Sequence, residues 1–176
     1  MSCKHNLANN RQTRMLANLT LVGCYDPSAV PDTAERDRIL LDSAVENLRR
    51  MAFFGLTERQ ADTQFLFESA FPGFRFRRRF VQWNATHAHR ADVTSGQLAA
   101  VRKLNRLDLA LYKFAQRLFD RRVRWARAAR ESDTSVYWRV TGPKISEEDY
   151  NEEDHLLDGD NYNGDDEQDE DDGKEN

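Results

Sequence analysis

The sequence predicts a mainly α-helical domain with one or two short strands, followed by an acidic tail. Three observations support this prediction. Apolar residues recur at helical spacing over most of the chain, and several of these stretches open with helix-capping patterns. One run, residues 51–56, is apolar throughout and fits a buried strand, with a helix end as the alternative. The C-terminal residues are acidic and poor in apolar side chains, which is typical of disorder. We therefore divide the chain into a domain, residues 1–140, and a disordered acidic tail, residues 141–176.

The N-terminal part of the chain shows two helical patterns separated by a turn. The first predicts a helix that begins near Asn6, followed by a short apolar run ending near Cys24. Asp32 with Glu35 three positions later is typical of a helix N-terminus, with Asp32 as the cap. The helix behind this cap carries an apolar face formed by Ile39, Leu40, Ala44, Leu48 and Met51.

The middle of the chain combines the predicted strand with a third helix and a basic segment. Thr57 and Gln60 form a capping-box pattern, so we expect a helix from Thr57 to the Pro72-Gly73 pair. Beyond it, phenylalanine partly alternates with arginine up to Trp83, which predicts an extended basic segment. Its cations could attract a sulfated glycan or form a solvated strand face, and they are Arg75, Arg77, Arg78 and Arg79.

A long helix is predicted after a polar loop. Thr94 and Gln97 form another capping-box pattern, and apolar residues then follow a helical period for about thirty residues. We expect its apolar side to lie in the core. The opposite face is basic and carries Arg102, Lys103, Arg106, Lys113, Arg117, Arg121, Arg122, Arg124 and Arg127.

Charge is distributed unevenly along the 176 residues, whose formal net charge is −4. Residues 147–176 hold sixteen acidic residues and one lysine, and residues 1–146 hold fourteen acidic and twenty-five basic residues. A basic body of this kind attracts polyanions, among them sulfated glycans, nucleic acids and nucleotide phosphates. No apolar run is long enough to cross a membrane, and no signal peptide is recognisable at the N-terminus.

Few residues suggest a catalytic or metal site. Cys3 and Cys24 lack the spacing of a zinc site, and they are either buried thiols or one disulfide bridge. The eight glycines are scattered and form no phosphate-binding loop. His87 and His89 have no further ligands at suitable spacing, so we expect no metal. Two glycosylation sequons begin at Asn18 and Asn84, of which Asn84 is expected in an exposed loop.

Several stretches match a known enzyme family in the same order along residues 3–125. They are NLANNRQ (6–12), RMLA (14–17), LVGCY (21–25), MAFFGLTE (51–58), QWNAT (82–86), LNRLDL (104–109) and LY (111–112). The chain thereby resembles the C-terminal portion of the heparan-sulfate 6-O-sulfotransferases. The resemblance implies an α/β sulfotransferase fold in the full enzyme, with a P-loop-like parallel sheet. It also implies transfer of sulfate from 3′-phosphoadenylyl sulfate (PAPS) to the 6-hydroxyl of N-sulfoglucosamine units in heparan sulfate.

The resemblance also implies where the functional residues lie. In the family, the phosphate-binding loop, the catalytic histidine and the Arg-Ser element precede the matched region, so we assign no catalytic residue here. The loop Thr86-His87-Ala88 corresponds to a Thr-Arg-Ala loop that lies against the nucleotide cofactor. A hydroxyl, backbone N–H groups and a cation are suited to phosphate. His87 stands where arginine is common in the family.

For a family member, we expect a single-pass type II Golgi membrane protein with a lumenal domain, anchored outside this chain. We expect heparan sulfate and not nucleic acid as the partner, glycosylation at Asn84 or Asn18, and a Cys3–Cys24 disulfide. The chain taken by itself is expected to be inactive. The alternative is a non-catalytic polyanion-binding protein, whose acidic tail folds back onto the basic helical body and inhibits it. A non-catalytic scaffold, with the charge asymmetry serving only solubility, is a further possibility.

Overall fold

The computed structural model describes residues 8–81 and 93–131, which form five α-helices and one 3₁₀ turn. The chain divides into a unit of Met1–Ile145 and a unit of Ser146–Asn176, and every described residue belongs to the first unit. The predicted acidic tail lies outside the described residues. The elements are α1 (Arg11–Leu16), the 3₁₀ turn (Leu19–Val22), α2 (Thr33–Arg50), α3 (Gln60–Ala70), α4 (Ser95–Leu104) and α5 (Arg106–Glu131).

Helix α5 is the centre of the described fold. Its 26 residues make a rod about 39 Å long, since each residue adds about 1.5 Å. The helices α1, α2 and α3 all pack against it. Its buried face follows the apolar period predicted from the sequence and consists of Leu107, Leu111, Phe114, Ala115, Leu118, Phe119, Val123 and Ala126.

Residues 51–56 do not form the predicted strand, and no strand occurs elsewhere among residues 8–81 and 93–131. The run is an irregular segment in which Phe53, Phe54 and Leu56 pack into the core cluster with residues of α3 and α5, whereas Met51 and Ala52 are exposed. The backbone N–H and C=O of Leu56 are both satisfied by the hydroxyl of Thr63, at 3.1 Å each. The described residues offer no neighbouring strand, so the backbone is satisfied by a side chain instead of a sheet. The apolar cluster here contains Phe53, Phe54, Leu56, Phe65, Leu66, Tyr112, Phe119, Val123 and Ala126.

The beginnings of the helices confirm some capping predictions and correct others. Asp32 caps α2 by accepting a hydrogen bond from the N–H of Ala34, and Thr94 and Gln97 form both bonds of a capping box on α4. Helix α3, however, begins at Gln60 and not at Thr57, whose hydroxyl turns to the Glu58 carboxylate. The Gln60 side chain donates to the Thr57 carbonyl, so this segment is a turn before the helix.

The first helix is shorter than predicted because it begins only at Arg11. Asn10 has a left-handed backbone (φ 50°, ψ 42°), which a right-handed helix cannot pass through. After α1, the 3₁₀ turn leads into a tight loop in which Gly23 and Cys24 have positive φ. The guanidinium of Arg36 on α2 holds this loop by donating to the carbonyls of Val22, Cys24 and Asp26.

The predicted thirty-residue helix is divided in two at Asn105. Its backbone (φ −114°, ψ 29°) ends α4, while its carbonyl accepts the first hydrogen bond of α5 from the N–H of Leu109. The apolar side of α5 is buried as predicted, but the prediction fails for α4. There, Leu98, Val101 and Leu104 are 43, 54 and 52% exposed.

Candidate functional site

The N-termini of α1 and α5 cap each other. The side-chain oxygen of Asn10, which precedes α1, accepts hydrogen bonds from the N–H groups of Leu107 and Asp108 in the first turn of α5 (3.0 and 3.4 Å). In return, the Asp108 carboxylate accepts from the N–H groups of Gln12 and Thr13 in the first turn of α1 (3.1 and 2.8 Å). Each helix therefore supplies the cap that the other needs.

Two further contacts complete this reciprocal cap. The Asn10 N–H donates to the side-chain oxygen of Asn105 at 3.0 Å, and the Thr13 hydroxyl donates to Asp108 at 2.7 Å. Asn10 and Thr13 are buried, at 8 and 0% exposure. The anionic Asp108 also lies where the positive ends of two helix dipoles meet. Asn10 is thus a structural residue, as its position near a helix start suggests.

Tyr112 and Glu58 connect α5 to the turn before α3. The Tyr112 hydroxyl donates a hydrogen bond to the Glu58 carboxylate. Burial acts to raise the pKa of Glu58, but this hydrogen bond, with others to the same carboxylate, outweighs burial and lowers the pKa. The same hydrogen bond raises the pKa of Tyr112. A phenol whose proton is held in this way is a positioning contact and a poor general acid at neutral pH.

A network of arginines and aspartates fixes α3 to α5. Arg59 donates to Asp62 at 2.7 Å and to Asp120 on α5 at 2.9 Å, and its guanidinium lies over the Phe119 ring. Arg127 donates to the other oxygen of Asp62 at 2.7 Å. The hydrogen bonds to the two aspartates raise the pKa of Arg59. These cations connect α3 to α5, although their side chains remain partly exposed.

Arg122 departs from the prediction that it belongs to an exposed basic face. It is half-buried, with its guanidinium 5.2 Å from the centre of the Phe54 ring, and it donates to the Arg49 carbonyl at the end of α2 (2.8 Å). Burial lowers its pKa, although an arginine remains charged in proteins. Arg106 is also partnered, with Asp37. By contrast, no described residue pairs with Arg102, Lys103, Arg117 or Arg124, which are exposed.

The predicted cofactor loop, Thr86-His87-Ala88, and the sequon residue Asn84 lie outside the described residues. The structure describes what flanks them. On one side, the N–H of Phe80 donates to the side-chain oxygen of Gln64 on α3 at 2.7 Å. On the other, the capping box at Thr94 begins α4. The contact of this loop with a cofactor stays a prediction.

The remaining predicted residues are only partly described. Asn18 is exposed and caps the 3₁₀ turn, accepting from the N–H and hydroxyl of Thr20 at 3.2 and 2.7 Å. This geometry leaves its glycosylation a prediction. Cys24 is buried, but Cys3 lies outside the described residues, so their pairing also stays a prediction. All four histidines lie outside the described residues.

Sequence reasoning missed Asn105 and Asp108. A signal for them was present, because Asn followed three positions later by Asp is a helix N-terminal pattern. It is hard to recognise because the apolar period continues without a break across Asn105. The partner residue Asn10 is more than ninety positions away, and this pairing has no local signal in the sequence.

The described residues contain no cluster of three or more His, Cys, Asp or Glu side chains placed to hold a metal ion. Within the same residues, no helix combines the length and the apolarity that crossing a bilayer requires. What the described part offers is a helical scaffold with exposed cations.

Comparison with known proteins identifies the family. A sequence model of the Sulfotransferase family matches residues 1–115. The chain is 50% identical to human heparan-sulfate 6-O-sulfotransferase 1 over 127 residues, which are 72% of this chain and 30% of that protein. It is 49% identical over 127 residues to heparan-sulfate 6-O-sulfotransferase 2 of Gallus gallus (72% and 31%). It is 51% identical over 122 residues to heparan-sulfate 6-O-sulfotransferase 3 of Mus musculus (69% and 26%).

The chain thus spans less than a third of the length of these curated relatives. The fold brings together stretches that carry the resemblance, since Asn10 caps the helix that contains Asp108, and Glu58 bonds to Tyr112. The family resemblance predicted from the sequence is confirmed, and the chain belongs to the sulfotransferase family.

Proposed function

We propose that this chain is the C-terminal portion of a heparan-sulfate 6-O-sulfotransferase. The enzyme would transfer the sulfuryl group of PAPS to the 6-hydroxyl of N-sulfoglucosamine units in heparan sulfate. The observation that carries the proposal is the identity of about 50% over 127 residues to proteins of that name. The Golgi lumen, a type II membrane anchor outside this chain and an α/β fold with a parallel sheet belong to the same proposal.

We assign different parts of the sulfuryl transfer to this chain and to the rest of the enzyme. A base takes the proton of the 6-hydroxyl as its oxygen bonds to sulfur, while the sulfur–oxygen bond to the donor phosphate breaks. Cations and N–H groups must stabilise the charge on that phosphate and on the sulfuryl oxygens. This chain encodes no Gly-rich phosphate loop. We therefore assign the base and the main anion cradle to the region before the matched residues.

The contribution of this chain to the cofactor site would be the loop Thr86-His87-Ala88. Its hydroxyl and backbone N–H groups are suited to a phosphate of PAPS. His87 would give a weaker and more pH-dependent contact than the arginine common in the family, because imidazole loses its charge near pH 6.5. Support comes from the flanks, where Gln64 holds the backbone before the loop and Thr94 caps the helix after it.

A chimera tests the proposal. In human heparan-sulfate 6-O-sulfotransferase 1, the matched 127-residue region would be replaced by the corresponding residues of this chain. We expect the chimera to sulfate N-sulfated heparosan with labelled PAPS, and the 176-residue chain by itself to transfer no label. In the chimera, His87→Arg should lower the KM for PAPS and weaken its pH dependence, while Thr86→Ala should raise the KM.

Two outcomes would contradict the proposal. One is a chimera that shows the helical circular dichroism of the human enzyme but transfers no label. The other is transfer by the 176-residue chain without any added segment, which would mean that the base and the cradle lie within it. A matched control is Thr20→Ala, because this threonine lies at the 3₁₀ turn, and its loss should leave the KM for PAPS unchanged.

A further inference from the structure

Residues 74–81, named here the basic segment, have no helix or strand but are anchored to α3. The N–H of Phe76 donates to the Glu68 carboxylate at 3.0 Å, and the N–H of Phe80 donates to the side-chain oxygen of Gln64 at 2.7 Å. The Gln64 amide donates in turn to the carbonyl of Arg78 at 3.3 Å. Three hydrogen bonds from two side chains therefore fix the course of an otherwise irregular backbone.

Aromatic contacts strengthen this attachment. The Phe76 ring lies 5.3 Å from that of Phe67 on α3 and 4.6 Å from that of Phe80, measured between ring centres. Phe74 contacts the same Phe67 at 6.3 Å. The phenylalanines that alternate with arginine thus bind the segment to the protein, which leaves the intervening cations at the surface.

The four arginines of the basic segment are not equivalent. Arg75 donates to the Glu68 carbonyl at 3.1 Å and pairs with its carboxylate at 3.5 Å, so it helps to hold the segment. The hydrogen bond from Phe76 lowers the pKa of Glu68, which keeps this carboxylate charged. Arg77, Arg78 and Arg79 are exposed, and no described residue forms an ion pair with them.

We propose that Arg77, Arg78 and Arg79 form a binding surface for a sulfated polysaccharide, presented by the anchored backbone of residues 74–81. Guanidinium groups pair with sulfate through two parallel N–H donors, and a fixed backbone reduces the entropy lost when they do so. Phe76 and Phe80 contact each other but remain exposed beside these cations, so single-stranded nucleic acid, which binds through stacking on aromatic rings and through cations, is the competing ligand that the test must exclude.

The choice of a sulfated glycan rests on the proposed function, whereas the surface itself rests on the contacts above. A binding experiment without PAPS separates the two, because it requires no catalysis. The full 176-residue chain would be titrated with size-defined heparin, with N- and O-desulfated heparin and with single-stranded DNA of similar length. The test variant is Arg77→Gln/Arg78→Gln/Arg79→Gln.

The matched control removes the same charge from other exposed arginines, as Arg102→Gln/Arg117→Gln/Arg124→Gln. We expect the test variant to bind heparin about tenfold more weakly than the unmodified chain, and the control to lose about twofold or less. The helical circular dichroism should be the same in all three proteins. Arg77→Lys/Arg78→Lys/Arg79→Lys should restore only part of the affinity, because lysine cannot form the two-donor pair.

Three results would overturn the inference. The first is equal weakening by the test and control variants, which would indicate net charge without a site. The second is binding to single-stranded DNA that is as tight as binding to heparin and falls equally in the test variant. The third is binding of the unmodified chain to desulfated heparin that is as tight as its binding to heparin. A failed chimera in the transfer assay, by contrast, would refute the proposed enzyme and leave this binding result intact.

Discussion

Helices α4 and α5 carry the same apolar period in the sequence but lie in different environments. In α5, Leu118 and Phe119 are 2 and 0% exposed, whereas Val101 and Leu104 in α4 are 54 and 52% exposed. Leu104 and Leu118 are fourteen positions apart in the sequence. The difference shows that a helical period in the sequence identifies the apolar face of a helix. It does not show whether the element that packs against that face is close in the sequence.

The two helices differ in the elements that pack against them. Helices α1, α2 and α3 pack against α5, and Asn10 caps the first turn of α5. The apolar residues of α4, by contrast, remain exposed. An exposed apolar face of this kind is a place where a further element can pack. Substitutions on the two helices should therefore have unequal effects on the free energy of unfolding.

The largest effect is expected for Leu118→Ala in α5. The side chain is 2% exposed, and the substitution removes apolar contacts and leaves a cavity. We expect the free energy of unfolding to fall by about 3 kcal/mol. Urea denaturation followed by circular dichroism measures it, and a loss below about 1 kcal/mol would show that α5 is not the packed centre of this fold.

An intermediate effect is expected for Asp108→Ala at the reciprocal cap. The substitution removes the acceptor for two N–H groups of α1 and leaves the buried Thr13 hydroxyl without its partner. We expect a loss of about 2 kcal/mol, against about 1 kcal/mol for Asp32→Ala, which removes the local cap of α2.

A double-mutant cycle tests whether this cap is reciprocal. Asn10 and Asp108 lie at one junction, so the second substitution removes contacts that the first has already weakened. The combined loss in Asn10→Ala/Asp108→Ala should be smaller than the sum of the single losses by at least about 0.5 kcal/mol. Strict additivity would show that the two caps act independently.

The smallest effect is expected for Leu104→Ala in α4. The change is the same as at Leu118, but this side chain is 52% exposed and alanine is a good helix former. We expect a change within about 0.5 kcal/mol in the same urea experiment. In the chimera with the human enzyme, Leu104→Ala should lower the free energy of unfolding by a larger amount if a further element covers this face. A loss of about 3 kcal/mol in the 176-residue chain would remove the distinction between α4 and α5.

Much of the fold could be predicted because its determinants are local. The apolar face of α5, the Asp32 cap of α2 and the capping box of α4 follow from residues within a few positions of one another. The errors arose where a side chain or a neighbouring element replaces the expected backbone partner. Residues 51–56 have a strand-like composition, but Thr63 and the core phenylalanines hold them as an irregular segment. The break at Asn105 depends on Asn10, far away in the sequence.

Less of the candidate site than of the fold could be predicted from the sequence. The family could be recognised from short stretches, but their residues mostly maintain the fold, as Asn10 and Tyr112 illustrate. The basic segment could be found as a run of arginines. Its composition could not separate Arg75, which bonds to Glu68, from the three exposed neighbours, because that distinction depends on which carboxylate lies within reach.

The reciprocal cap between α1 and α5 has a consequence for building hybrid proteins. A crossover point anywhere between Thr13 and Asn105 would take the two halves of this junction from different parents. A parent that lacks the asparagine or the aspartate would then leave several backbone N–H groups without acceptors, although every helix remained intact. Exchanges in which Asn10, Thr13, Asn105 and Asp108 all come from one parent should yield folded hybrids far more often, whatever the sequence of the loops between these residues.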